Sequence, residues 1–208
     1  MLLGVGIDIY GVIEIRPWCT WPDRPEEIDW EFGVSLDNLY VGPDYDAFGC
    51  LFGVMNYAGF RPIAAERGLP ADASAHTRAQ YDGAHPTWMS WAEVEQIDWT
   101  EPAEHADARL HRYLRDADGR WTFHSKASWS REAYEVLGVP APPPGTDPAI
   151  WPDGSVWTRG DVQYRAERLT RRDAVSENGG WQPVWEVMAI LARLHGRENC
   201  RLVVWFDR

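Results

Sequence analysis

Alternation opens the chain. In "GIDIYGVIEIR", Ile7, Ile9, Ile13 and Ile15 fall on one side of an extended strand, and Asp8, Tyr10, Val12, Glu14 and Arg16 on the other. This predicts a strand with one packed face and one face open to do work. "DWEFGVSLDNLYVG" predicts a short strand over Trp30 to Val34, then a turn-rich passage to Gly42 and Pro43. In "GPDYDAFGCLFGVMNYAGFRP", the period lengthens to three and four residues at Phe48, Leu51, Phe52 and Met55. Asp44 or Asp46 can cap this helix, which is expected to run to Tyr57–Gly59. Gly49 and Gly53 permit close approach of another element. "RPIAAERGLPADAS" reads as loop, punctuated by proline and glycine.

Ser90 with Glu93 forms a capping box, so a helix should begin at Trp91 and carry Val94 and Ile97 inward. The preceding "HPTWM" would place His85 and Trp88 at its mouth. "RLHRYLRDADGRWTFHSK" predicts a hairpin turning at "DADG", with Leu110, Arg112 and Leu114 opposite Trp121 and Phe123; a helix over 101–115 is its rival. "SREAYEVLG" fits a short helix between Ser130 and Gly138. "DVQYRAERLTRRDAV" is read as a strand, on the alternation of Val162, Tyr164 and Ala166. A helical stripe follows at Val184, Val187, Met188, Leu191 and Leu194, and "CRLVVWFDR" ends the chain as a strand. Strands at both ends, with helices and a hairpin between, predict an α+β fold: a mixed or mostly antiparallel sheet with packed helices.

Composition narrows the function. Prolines concentrate in residues 138–154, where they favour an extended connection; the part beyond is too short for an independent core, so residues 1–208 are expected to form a single domain. The formal charge of -12 repels phosphate backbones and anionic lipid, and no apolar run approaches the roughly 20 residues that span a bilayer. Neither nucleic acid nor membrane is an expected partner. The opening carries Asp8 and Glu14 and lacks a basic start, so it reads as a strand of the mature protein rather than a signal peptide. Three cysteines, Cys19, Cys50 and Cys200, at wide spacings fit reduced thiols in a soluble cytoplasmic protein and have no zinc spacing. The 13 tryptophans imply an aromatic core, a stacking surface, or both.

No Walker loop, dinucleotide fingerprint, zinc-protease helix or serine-hydrolase elbow occurs, and no cofactor or metal is expected. The candidates are polar residues in conspicuous places. Asp8 sits in an isoleucine-rich strand beside Tyr10, and Asp44 and Asp46 can cap a helix, which is the simpler reading, or offer oxygen ligands to a hard cation or act as an acid/base pair. His85 precedes a proline near Trp88. Arg61 and Arg67 bracket a loop and can meet either an anion or neighbouring carboxylates. Arg165, Arg168, Arg171 and Arg172 form a basic run best read as a solvated face.

The order "GIDIYGVIEIR", "YDAFGCLFGVMNYAGFRPI", "RGLPADAS" and "HPTWMSWAEVEQIDW" is similar to a group of bacterial and phage proteins with no established activity. Its members open with a Gly-Cys-Asp-Ile-His-like strand and continue through an Arg-Asn-ended helix, an Arg-Gly-Leu-Pro loop and a His-x-x-Trp-like segment. The resemblance covers residues 6–99 and selects Asp8, Tyr45, Asn56, Arg67 and His85. Ile7 and Tyr10 stand where the group's Cys and His would be, so a metal site on those two is not carried over.

The leading expectation is a pocket for a small polar, nucleotide-like ligand. Tryptophans would stack a base, Arg61 and Arg67 would meet phosphate, and Asp8 would accept from a ribose or amine. Sequestration of a host signalling nucleotide is the use that the phage-like resemblance implies. The rivals are a hydrolase using Asp8, Asp44, Asp46 and His85 on a phosphoester or glycosidic bond, and an acidic protein-binding inhibitor.

Overall fold

The computed structural model describes residues 7–18, 29–40, 42–127, 134, 135, 137, 138 and 151–207. The expected helix over 130–138 and the proline-rich connection lie mostly outside them. Two four-stranded antiparallel sheets and short helices give an α+β fold. The first sheet is ordered β2-β1-β8-β3, from β1 (Ile9–Ile15), β2 (Glu31–Ser35), β3 (Ala84–Ser90) and β8 (Cys200–Phe206). The second is β5-β4-β7-β6, from β4 (Leu110–Arg115), β5 (Trp121–Ala127), β6 (Val156–Arg159) and β7 (Val162–Arg165). The strands expected at the two ends of the chain lie side by side, Ile9 opposite Phe206 and Ile15 opposite Cys200.

One face of the first sheet presents Ile9, Ile13, Met89, Leu202, Val204 and Phe206. Two helices cover it: α1 (Tyr45–Phe52) through Phe48, Leu51 and Phe52, and α5 (Gln182–His195) through Val184 and Met188. Each such side chain contributes about 1.5–3 kcal/mol when fully buried. The opposite face, expected to be open, is closed along its middle. Val12, Val203 and Trp205 pack with Leu69, Tyr81 and Trp88. The segment 69–81 lies over this face, and it includes a helix the sequence reading passed over, α2 (Ala75–Gln80), capped by Ser74.

That cover holds a buried ion pair. Glu14 and Arg201 stand opposite each other in the β1–β8 ladder, both buried, with Arg201 Nε donating to Glu14 Oε2 at 2.8 Å. Glu14 Oε1 accepts from Ser74 N at 2.8 Å and from the Thr77 hydroxyl at 2.5 Å. Arg201 also donates to Asp72 at 2.8 Å and stacks on Trp30, 3.8 Å from the ring centre. The carboxylate and guanidinium are thus taken from water with their partners in place, which is what makes the burial tolerable.

Several local expectations need correction. Helix α1 stops at Phe52, because Gly53 takes a left-handed conformation (φ 77°) and its N–H turns back to the Phe48 and Gly49 carbonyls, so Met55 is outside the helix. "HPTWM" is strand, completing the first sheet's edge rather than forming a helix mouth. The capping box is present, but its helix α3 (Trp91–Val94) is a single turn. The hairpin forms with Arg115 opposite Trp121 and Tyr113 opposite Phe123, one residue out of the expected register, because its loop spans Asp116–Arg120 and a bulge follows at Arg112/Tyr113. The basic run is a solvated face only in part, since Arg168 and Arg172 are exposed while Arg165 is half-buried and Arg171 is buried. Arg165 sits 3.9 Å over the Tyr113 ring, Arg168 pairs with Asp153, Arg172 with Glu177, and the buried Arg171 with Glu101. Arg171 opens helix α4 (Arg171–Ala174), whose Thr170–Asp173 capping box was visible in the sequence and overlooked.

Backbone bonds tie the segment before β4 to the segment after β7, from Ala103 N to Leu169 O and Asp107 N to Glu167 O, and to the loop after α1, from Ala108 N to Tyr57 O. A charged cluster reinforces the joint. Asp107, fully buried, accepts from Arg109 at 2.8 Å and Lys126 at 3.1 Å and lies 3.3 Å from His111 Nε2. The same Arg109 and Lys126 reach Asp46 at the start of α1. Burial pushes the Asp107 carboxyl up, but hydrogen bonds from His111 and Arg109 and the charges of Arg109 and Lys126 outweigh it and hold it well below the usual carboxylate range.

Two consequences are measurable. Glu14→Ala leaves Arg201 buried without its counter-charge and is expected to cost about 3–5 kcal/mol in chemical denaturation, while Glu14→Leu combined with Arg201→Met recovers part of that loss. A carboxyl depressed by folding stabilises above its unfolded pKa of about 4 and loses that contribution as pH falls further. The wild-type melting temperature is therefore expected to drop steeply below about pH 4, and Asp107→Asn, less stable at neutral pH, to show a shallower drop.

Candidate functional site

A cleft of about 560 Å3 opens where the C-terminal end of α1 meets the first sheet's end. Its apolar floor includes Ile7, Phe52 and Pro62, and its polar groups are Asn56, Glu66, His85 and Asp207. Among the described residues, no lysine or arginine lines it.

Its backbone is unusual. Among the described residues, the non-glycine residues with positive φ are Met55 (52°), Glu66 (53°) and His85 (52°), and all of them line this cleft. A left-handed L-residue costs roughly 1–2 kcal/mol, so such residues persist only where surrounding structure imposes them, and they gather at binding and catalytic sites. For Met55 and His85 the cause is visible. Met55 follows the stop at Gly53, and the chain is then folded back on α1 where Gly49 has no side chain; a β-carbon there would lie 2.8 Å from Asn56 Cα. Asn56 fixes the loop by accepting from Phe60 N at 3.0 Å and donating to Phe60 O at 2.7 Å. His85 and Pro86 form a bulge in β3, between Ala84 opposite Phe206 and Thr87 opposite Val204. The bulge aims His85 out of the ladder and into the cleft's rim.

Asp207 is the residue that sequence reasoning missed. It lies one position beyond β8, accepts from Asp8 N at 2.9 Å and from the Tyr10 hydroxyl at 3.3 Å, and so locks the two chain ends together. Its charge, then burial, raises the Tyr10 hydroxyl above its ordinary value. Asp207 also borders a second cleft of about 500 Å3, with Tyr10, Asp37 and Asp82. A signal existed in the sequence: Asp207 is the acid that ends the last strand, as Asp8 is the one that begins the first.

The expected site residues divide. Asn56 and His85 line the cleft, and Asp8 and Tyr10 join it through Asp207. Tyr45, also selected by the resemblance, reaches the same corner through its hydroxyl, 3.4 Å from Ile7 N. The rest lie elsewhere. Asp44 caps α1, accepting from Ala47 N at 3.1 Å, and burial raises its carboxyl. Asp46 is in the cluster with Arg109 and Lys126. Arg61 is bound to Glu101, and Arg67 pairs with Glu93 at 2.8 Å. Trp88 is on the sheet's other face, with the guanidinium groups of Arg67 and Arg201 5.3 and 5.7 Å from its ring centre. The grouping of Asp8, Asp44, Asp46 and His85 is therefore not assembled in one cleft.

The chain matches no family model, and no curated protein or solved structure matches it significantly. Among the described residues, no group of three or more His, Cys, Asp or Glu side chains is placed to hold a metal ion, and no helix is long and apolar enough to cross a membrane. Burial pushes the Cys50 and Cys200 thiols up to about 12, which removes them as nucleophiles.

The strain at the cleft can be measured. Glu66 is exposed, so Glu66→Gly relieves its left-handed backbone without removing packing; it is expected to raise stability by about 0.5 kcal/mol in chemical denaturation, after allowing for glycine's greater freedom when unfolded.

Proposed function

We propose that the cleft bounded by Met55, Glu66, His85 and Asp207 binds a small polar ligand through hydroxyl or amine groups that donate hydrogen bonds. The observation that carries this reading is the convergence of every described left-handed non-glycine residue on a cleft with carboxylates, an imidazole and an apolar floor. Carboxylates accept from hydroxyls or amines, and the floor beneath suits the flat face of a base, so a nucleoside-like molecule fits this lining. Among the described residues, no lysine or arginine lines the cleft to meet a phosphate, and Arg61 and Arg67 are held by Glu101 and Glu93. The nucleotide expectation is thereby narrowed to its nucleoside part. Sequestering a host signalling nucleotide would require the phosphates to point out of the cleft. We also read the protein as cytoplasmic, on its buried free thiols at Cys50 and Cys200.

Titration with adenosine, guanosine and their monophosphates, followed by amide chemical shifts, tests the reading. Perturbations are expected at His85, Asn56 and Asp207, with each nucleoside and its monophosphate binding within about threefold of each other. Asp207→Asn is expected to weaken binding about tenfold, the loss of one hydrogen bond to a charged acceptor. No response at millimolar concentration from any of the four would end the proposal.

A further inference from the structure

A further concave site lies beside the first half of α5. Its walls are Trp91, Ile97, Trp99 and Trp185, drawn from α3, the turn after it and the first half of α5, and it encloses about 360 Å3. The indoles continue inward as a ladder: Trp99 to Trp185 at 6.5 Å between ring centres, Trp185 stacked on Trp181 at 5.4 Å, and Trp181 against Tyr40 at 4.7 Å. Trp181 and Tyr40 are buried, whereas Trp91, Trp99 and Trp185 are only half-buried and show part of their surface to the groove.

The margin is acidic. Glu95, Glu177 and Glu186 line the groove, against one lining cation among the described residues, Arg172, with Arg197 beside Glu95. Their existing contacts are solvent-exposed: Glu177 with Arg172 at 3.1 Å, Glu95 with Arg197 at 3.2 Å, and Glu186 with the Gln182 amide at 2.7 Å. The amino end of α5 adds about half a positive charge, less than the excess of carboxylates. Indole faces carry negative quadrupole potential, so rings and rim favour the same sign of ligand.

We propose that this groove binds a small organic cation, an alkylated ammonium head group seated against Trp91, Trp99 and Trp185 and neutralised by Glu177 and Glu186. The alkyl groups displace water from the indoles, and the positive centre lies over their faces. This site is separate from the His85 cleft, with which it shares no lining residue.

The test is calorimetric titration of the intact protein with choline, and with 3,3-dimethylbutanol, which has the same shape without the charge. Choline is expected to bind in the millimolar range or tighter and at least about tenfold more tightly than the neutral isostere, a preference set by cation–π and carboxylate attraction. Glu177→Gln with Glu186→Gln, both on exposed side chains, should weaken choline about threefold or more and leave the thermal melting curve unchanged. His85→Ala should leave choline binding unaltered, which separates this site from the nucleoside reading. Equal binding of the neutral isostere, or no heat from choline at tens of millimolar, overturns the proposal.

Discussion

The antiparallel contact between the first and last strands, fixed by Glu14 and Arg201, is the constraint on which the rest depends. Two charges buried opposite each other in a ladder favour one pairing, because a slip of either strand by one residue would separate them and turn the slipped strand's charge to the apolar face. The same pair recruits Ser74 and Thr77, which brings α2 over the sheet, and Asp72, which holds Trp30 against the guanidinium. Burial pulls the Asp72 carboxyl up, yet Arg201 and the Trp30 indole more than compensate and leave it below its ordinary value.

Register propagates to the candidate site. With Glu14 opposite Arg201, Ile9 falls opposite Phe206, and Asp8 and Asp207 meet just beyond. That meeting builds one wall of the cleft. The bulge in β3 builds another, since the inserted His85 and Pro86 cannot continue the ladder with β8 and are displaced outward. Helix α1 supplies the third by ending at Gly53 rather than running on, which releases Met55 and Asn56 into the loop. A rigid sheet thus carries a site made from element ends.

The remaining charges mostly tie segments together. Asp46, Asp107, Arg109 and Lys126 clamp α1 to the second sheet, and Arg61 and Arg171 share Glu101 across the junction. In a chain with a formal charge of -12, arginines are quickly engaged by carboxylates. This is why the arginines that suggested phosphate recognition are occupied, and why the His85 cleft has no cation among its described lining residues while the tryptophan groove has an acidic margin.

Period and caps were legible in the sequence. Alternation at Ile7–Ile15, the helical stripe ending at Gly196, the Ser90–Glu93 box and the "DADG" turn depend on neighbours within a few residues, and those interactions are the same in any fold. They determined the α+β class, the terminal strands and a helix cap at Asp44 or Asp46, of which the fold takes Asp44. What the sequence left open was decided by contacts between distant residues. Glu14 was read as an exposed alternate and is buried, because its partners lie 187, 60 and 63 positions away. Asn56 and His85 share a cleft, while Asp46 and Arg67 are drawn off by Lys126 and Glu93, because ion pairs and strand register form in three dimensions and leave no local pattern to read.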